Sequence, residues 1–217
     1  MLKTLQTTAF AVAATIAVAG AANATVLDFS DITPTGVSSS PQTYVSNGVT
    51  FDVTSDTGNV GVYDTTVAGE DPDLTSPFVD ADGLLPATGF GNAIVANENN
   101  STPDDQAGGA DLFFEFVSPI LLSYIDILDA EEGAEIFVNG SSVGSAMTPG
   151  TGQPDTVNYF DRVSFADTLV SNIRVVFSGS GAVGEIGLAP IPVPAALPLL
   201  IGGLGALGVA RRRRKTA

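Results

Sequence analysis

From residue 25 onward, the apolar positions come in short runs, and many of these alternate with polar residues at a period of two. In the run around Ile173, Val175 and Phe177, these three side chains share one face while Arg174 and Ser178 point the other way, the signature of a half-buried strand. Nowhere in this stretch does an apolar period of 3.6 persist. The pattern predicts strands over 49–53, 60–63, 93–96, 112–117, 121–128, 135–138, 142–146, 157–165, 170–177 and 182–188. Strand-like sequence already begins at Val26, Leu27, Asp28 and Phe29. Asn139-Gly140 falls between two runs and is a hairpin turn, because both residues tolerate positive φ. So many short strands in residues 25–189 imply an all-β fold, a two-sheet β-sandwich of jelly-roll type. Two stretches break the pattern and read as long loops: 67–90, rich in Pro, Gly and Asp, and 97–109, polar throughout.

The two ends of the chain have a different pattern. Residues 1–24 have the three parts of a secretory signal peptide: Lys3 at the start, an apolar run over 9–22, and the small residues Ala22 and Ala24 where a signal peptidase reads. Cleavage is expected after Ala24. Residues 190–217 begin with Ile191-Pro192-Val193-Pro194-Ala195 and continue uncharged to Ala210. They close on Arg211, Arg212, Arg213, Arg214 and Lys215. As a helix, residues 195–210 would be about 24 Å long at about 1.5 Å per residue, short for a hydrocarbon core of about 30 Å unless the preceding residues contribute. The arginine cluster would stay cytoplasmic and the rest of the chain would lie across the inner membrane. Gly202, Gly203, Gly205 and Gly208 present a small face that lets another helix approach closely.

This order of parts resembles the PEP-CTERM sorting signal, with Ile191 to Ala195 similar to its VPLPA variant. The resemblance implies that the tail is recognised and cut by an exosortase, and that the product reaches the cell surface or extracellular matrix. The prolines hold the segment before the span extended, the form a protease binds. A second resemblance runs through Gly69 to Leu74, Gly91 to Glu98, Pro103 to Phe116 and Ile125 to Glu132. It is to a pattern recurring in secreted bacterial proteins of no settled activity, and it implies β-sandwich structure without supplying a catalytic residue.

Charge narrows the function. All 24 acidic residues lie between Thr25 and Ala189, where Arg162 and Arg174 are the only bases, so this stretch carries a net charge of −22. Such a field repels nucleic acid and concentrates cations. The chain has no Cys and no His, which removes disulfides, thiolate nucleophiles, Ser-His-Asp triads and the usual zinc sites. Carboxylates pair up at Asp71 and Asp73, Asp80 and Asp82, and Asp104 and Asp105, with a further group at Asp126, Asp129, Glu131 and Glu132. Hard cations such as calcium take six to eight oxygens, and acidic loops supply them, so the six paired aspartates are the candidate metal ligands. No cluster fits an EF-hand, and solvated loop charge is the alternative. A glycosidase needs only two carboxylates, but the aromatic platform for a sugar is scarce, with no Trp and four Tyr. The expectation is a non-enzymatic surface or matrix protein that binds or organises extracellular polysaccharide with calcium. Its rivals are a carboxylate-based carbohydrate-active enzyme and a purely structural surface protein.

Overall fold

The computed structural model describes residues 24–190, apart from 35, 68–70, 87, 99–101 and 149–157. The expected signal peptide, apart from Ala24, lies outside the described residues, and so do the sorting motif Ile191 to Ala195 and the cluster Arg211 to Arg214. Among the described residues no helix is long and apolar enough to cross a membrane.

The described chain is almost wholly β, as its period-two pattern requires. The strands are β1 (Thr25–Leu27), β2 (Val37–Ser39), β3 (Gln42–Ser46), β4 (Val49–Ser55), β5 (Asn59–Asp64), β6 (Phe78–Asp80), β7 (Asn92–Ala96), β8 (Asp111–Leu128), β9 (Ala134–Val138), β10 (Ser141–Ala146), β11 (Asn158–Phe177) and β12 (Ala182–Leu188). One 3-10 turn, Pro72–Leu74, interrupts the loop before β6. All pairings are antiparallel except that of β6 with β11. The turn at Asn139-Gly140 forms as expected, with φ of 48° and 82°.

Two long strands organise the rest. β8 and β11 pair along most of their lengths, and each serves two sets of neighbours. The first part of β8 pairs with β4, and the last part of β11 pairs with β9. The last part of β8 pairs with β12, and the start of β11 pairs with β6. The sheet therefore has two halves, β10-β9-β11-β8-β4-β3 and β6-β11-β8-β12-β7-β5-β2, joined through the β8–β11 ribbon, with β1 added beside β12. Register shifts between Ser164 and Thr168 and between Val170 and Asn172 mark where the ribbon changes course.

Both halves contribute to one apolar core. Phe51, Phe114, Ile136, Ile173 and Val175 come from the first half, and Val62, Ile94, Ile125, Ile127 and Ile186 from the second. Neighbours of these residues in the same strands point the opposite way, as strand geometry demands. Tyr63, Ala93, Val95, Leu128 and Ala182 thus form a second cluster on the outer face, closed by Leu74, Phe78, Phe90 and Phe160. Leu74, Phe78 and Phe90 belong to the stretch expected to be a loop. That stretch is folded against the sheet because its few large apolar side chains have an uncovered sheet face to bury.

Candidate metal centre

The second cluster matters because it pins the acidic loops. Asp71 precedes the 3-10 turn and caps it, its Oδ1 accepting the Asp73 amide at 2.9 Å. Its carbonyl accepts the Tyr63 hydroxyl at 2.7 Å, which ties the loop to β5. Asn158 at the start of β11 holds the other side, its side-chain amide donating to the carbonyls of Pro72 and Thr75.

Asp105 arrives from the second loop. Asn97, fully buried, accepts the Asp104 amide on its side-chain oxygen at 2.8 Å, and the Asn97–Asp105 bridge closes the loop. Oδ2 of Asp105 accepts the Gly181 amide at 2.5 Å. Only glycine serves there: φ is 154°, and a Cβ would stand 2.4 Å from the Phe177 ring. Asp129 comes from a third direction. It follows the last residue of β8 with φ of 51°, a left-handed conformation aspartate tolerates better than most residues, and its amide donates to the Tyr159 carbonyl.

These routes bring Asp71, Asp105 and Asp129 together. All three are buried, and each offers a carboxylate oxygen within 4.8 Å of the others. Burial first, and then the neighbouring negative charges, push Asp105 up to about 7 and Asp129 up to about 8. Asp71 is raised by burial, partly offset by its hydrogen bond from the Asp73 amide. Asp73, Asp104 and Glu131 add negative potential at the rim. No base answers it: Arg162 and Arg174, the only bases among the described residues, are bound to Asp126 and Asp111.

Four of the six sequence candidates thus lie at or beside one centre: Asp71 and Asp105 in it, Asp73 and Asp104 around it. Asp80 and Asp82 lie elsewhere. Asp80 Oδ2 accepts the amides of Leu84 and Leu85, and Asp82 is exposed. Asp129 and Gly181 were not among the candidates. Asp129 was visible only as one acid in a longer acidic run, and a single glycine after Ser-Gly-Ser gives no sequence signal.

The donor set suits a hard cation. Oxygens bound to one calcium at about 2.3–2.6 Å lie no more than about 5 Å apart, which the triad meets. All-carboxylate ligation disfavours soft metals.

Two cavities open among the described residues, and none of the three triad aspartates lines either. One, about 310 Å³, opens beside β5 between Pro34, Val62, Val67 and Pro103 and is mostly apolar. The other, about 460 Å³, runs along β9 and β10 past Glu135, Ser142, Ser145 and Ser178.

No protein-family model matches the chain, and no curated protein matches it. Among solved structures, a GH31 alpha-xylosidase from Xanthomonas citri aligns at 10% identity with a TM-score of 0.22. The alignment covers 82% of this chain and 21% of that enzyme. A likeness at that level leaves fold and chemistry to be argued from this chain's own residues.

Proposed function

We propose that the chain is an exported, exosortase-processed β-sandwich of jelly-roll type, displayed at the cell surface or in the extracellular matrix. It is non-enzymatic, fastened internally by calcium, and binds or organises extracellular polysaccharide. The observation that carries the calcium reading is the buried Asp71, Asp105 and Asp129 triad, for which the described chain provides no base.

Bound there, a calcium ion supplies two positive charges to carboxylates that otherwise repel one another. Asp71, Asp105 and Asp129 hold three separate loops, so their common ligation fixes those loops on the sheet. Because all three are buried, the centre suits a structural role better than exchange with a large external ligand.

Export and sorting rest on the patterns at the two ends of the chain. Glycan binding is supported by the groove at β9 and β10, where serine hydroxyls and Glu135 match the hydrogen-bonding needs of sugar hydroxyls. The non-enzymatic reading rests on composition, since the chain has no His and no Cys to serve as general base or nucleophile.

The test is thermal denaturation of the full chain with and without calcium, beside a glycan-binding screen and a reducing-sugar release assay. Calcium at about a hundredfold excess over Kd should stabilise by about 2.7 kcal/mol, roughly 5–10 °C in Tm for a domain of this size. A Tm unmoved by calcium sinks the metal reading. Sugar release abolished by a single Asp→Asn change sinks the non-enzymatic one.

A further inference from the structure

The outer face of the half-sheet β10-β9-β11-β8-β4-β3 carries large side chains that the core does not use. Strand register sets Phe137 on β9, Arg174 on β11 and Phe113 on β8 in one row. Ser142 on β10 and Thr54 on β4 continue the row at its two ends. Four strand spacings of about 4.8 Å make it about 19 Å long. Both rings are only half-buried, on the side of the sheet away from the apolar core.

Arg174 is fixed in the middle of this row. Its guanidinium carbon lies 5.3 Å from the centroid of each ring. Nε donates to Asp111 Oδ2 at 2.9 Å, and Nη2 donates to the same oxygen. The side chain is nonetheless 41% exposed. Held by two rings and a carboxylate, it loses little freedom when a ligand lies across it. The row is thus a rigid strip of apolar ring and hydrogen-bond donor, which suits the C–H face and the hydroxyls of a sugar.

The strip runs into the groove along β9 and β10. Glu135 and Ser142 line that groove, and the Ser142 hydroxyl donates to Glu135 at 2.6 Å. Glu135 and Phe137 alternate with the buried residues of β9 and so share its outer face. Groove and row therefore form one surface, and a polymer seated in the first continues across the second.

Charge selects the polymer. Among the described residues, the carboxylates Asp52, Asp111, Glu115 and Glu135 stand on this face against one base, Arg174, which is already bound to Asp111. Glu115 is exposed and lies directly across from Asp52, its register partner on β4. Like charges opposite one another on neighbouring strands destabilise a sheet. The flanking partners in that row, Asn172 on β11 and Thr43 on β3, bring no positive charge. An ammonium group set against Asp52 and Glu115 relieves the repulsion, whereas an acidic polymer or a second copy of this face adds to it.

We infer that this face binds a polysaccharide of amino sugars whose amino groups are free. Its sugar rings lie along Phe137, Arg174 and Phe113, and its ammonium groups meet Asp52, Glu115 and Glu135. The inference rests on the glycan reading of the β9–β10 groove and names the polymer that the groove takes.

The experiment is a calorimetric titration of the full chain, in calcium at pH 6, with a chitosan hexamer, its N-acetylated counterpart, cellohexaose and hexalysine. The chitosan hexamer should bind about tenfold more tightly than the other three, since it alone offers both sugar rings and charge-assisted hydrogen bonds. Glu115→Gln, at an exposed position, and Phe137→Leu, which keeps an apolar side chain, should each weaken that binding several-fold, with the fold of each checked by circular dichroism. Equal binding of the N-acetylated hexamer or of cellohexaose overturns the inference and leaves the glycan reading of the groove standing. Hexalysine binding as tightly as chitosan overturns it as bare charge attraction, and chitosan binding unchanged in Glu115→Gln overturns the site. If none of the three sugars binds, the groove reading falls with it.

Discussion

Asp129 shows how much one residue decides here. At the end of β8 its backbone turns left-handed, and that turn brings its carboxylate to Asp71 and Asp105 instead of to solvent. Without a cation, at a pH above the raised values of Asp105 and Asp129, the triad is a set of like charges in a poorly solvating site, and removing one charge should help the fold. Asp129→Asn is therefore expected to raise the Tm of the calcium-free chain and to abolish its response to calcium. A scan of both proteins in EDTA and in calcium checks the pair of effects. Gly181→Ala tests the same centre from the backbone. The added methyl group collides with the Phe177 ring, which costs about 1–3 kcal/mol, and displaces the amide that Asp105 accepts. The expected outcome is a lower Tm together with weaker calcium binding, read in one calcium titration series.

At the scale of elements, the outer cluster links loop to sheet. Phe90 packs edge-on between Phe78 and Phe160, with both ring centroids 5.3 Å away. Truncating such a buried ring costs about 3–5 kcal/mol. Because Phe78 lies just beyond the loop that carries Asp71, Phe90→Ala should also loosen the metal centre. Limited proteolysis is expected to cut first within 65–90, with calcium giving less protection than in the parent chain.

These elements also show what the sequence could reveal. The period-two runs located β4, β5, β7, β9, β10 and β12 to within two residues at each end. Residues 112–117 and 121–128 read as two strands, as did 157–165 and 170–177, yet each pair is one continuous strand. Pro119 and Ala166-Asp167 fall in the gaps between those runs. In the structure Pro119 lies where β8 bulges away from β11, between the Glu115 and Ile120 pairings, so its missing amide costs no ladder hydrogen bond. The short strands β2, β3 and β6 carry too few apolar residues for a period to show, and tertiary pairing alone defines them. Composition marked the acidic loops as places for a cation. It could not say which acids converge, because Asp71, Asp105 and Asp129 meet only through contacts far apart in the chain.

At the scale of the whole molecule, an excess of 22 acids over bases in one domain makes stability a matter of protons and cations. Burial and mutual repulsion raise Asp105 and Asp129 to about 7 and about 8 from an ordinary 3.8. The calcium-free native chain therefore holds protons that the unfolded chain has released, and its stability falls as pH rises from about 4 to about 8. Calcium needs the ionised carboxylates, so its affinity climbs over the same window and its stabilisation is largest at the alkaline end. Tm measured against pH, in EDTA and in calcium, should give two curves that diverge upward in pH.

The most direct test is a calorimetric calcium titration of the full chain at pH 8, with magnesium at equal ionic strength as the control for charge screening. The account predicts one calcium bound at the triad, with a heat signal that disappears in Asp129→Asn. A chain that takes up no calcium, or an Asp129→Asn chain that binds it as the parent does, would contradict it.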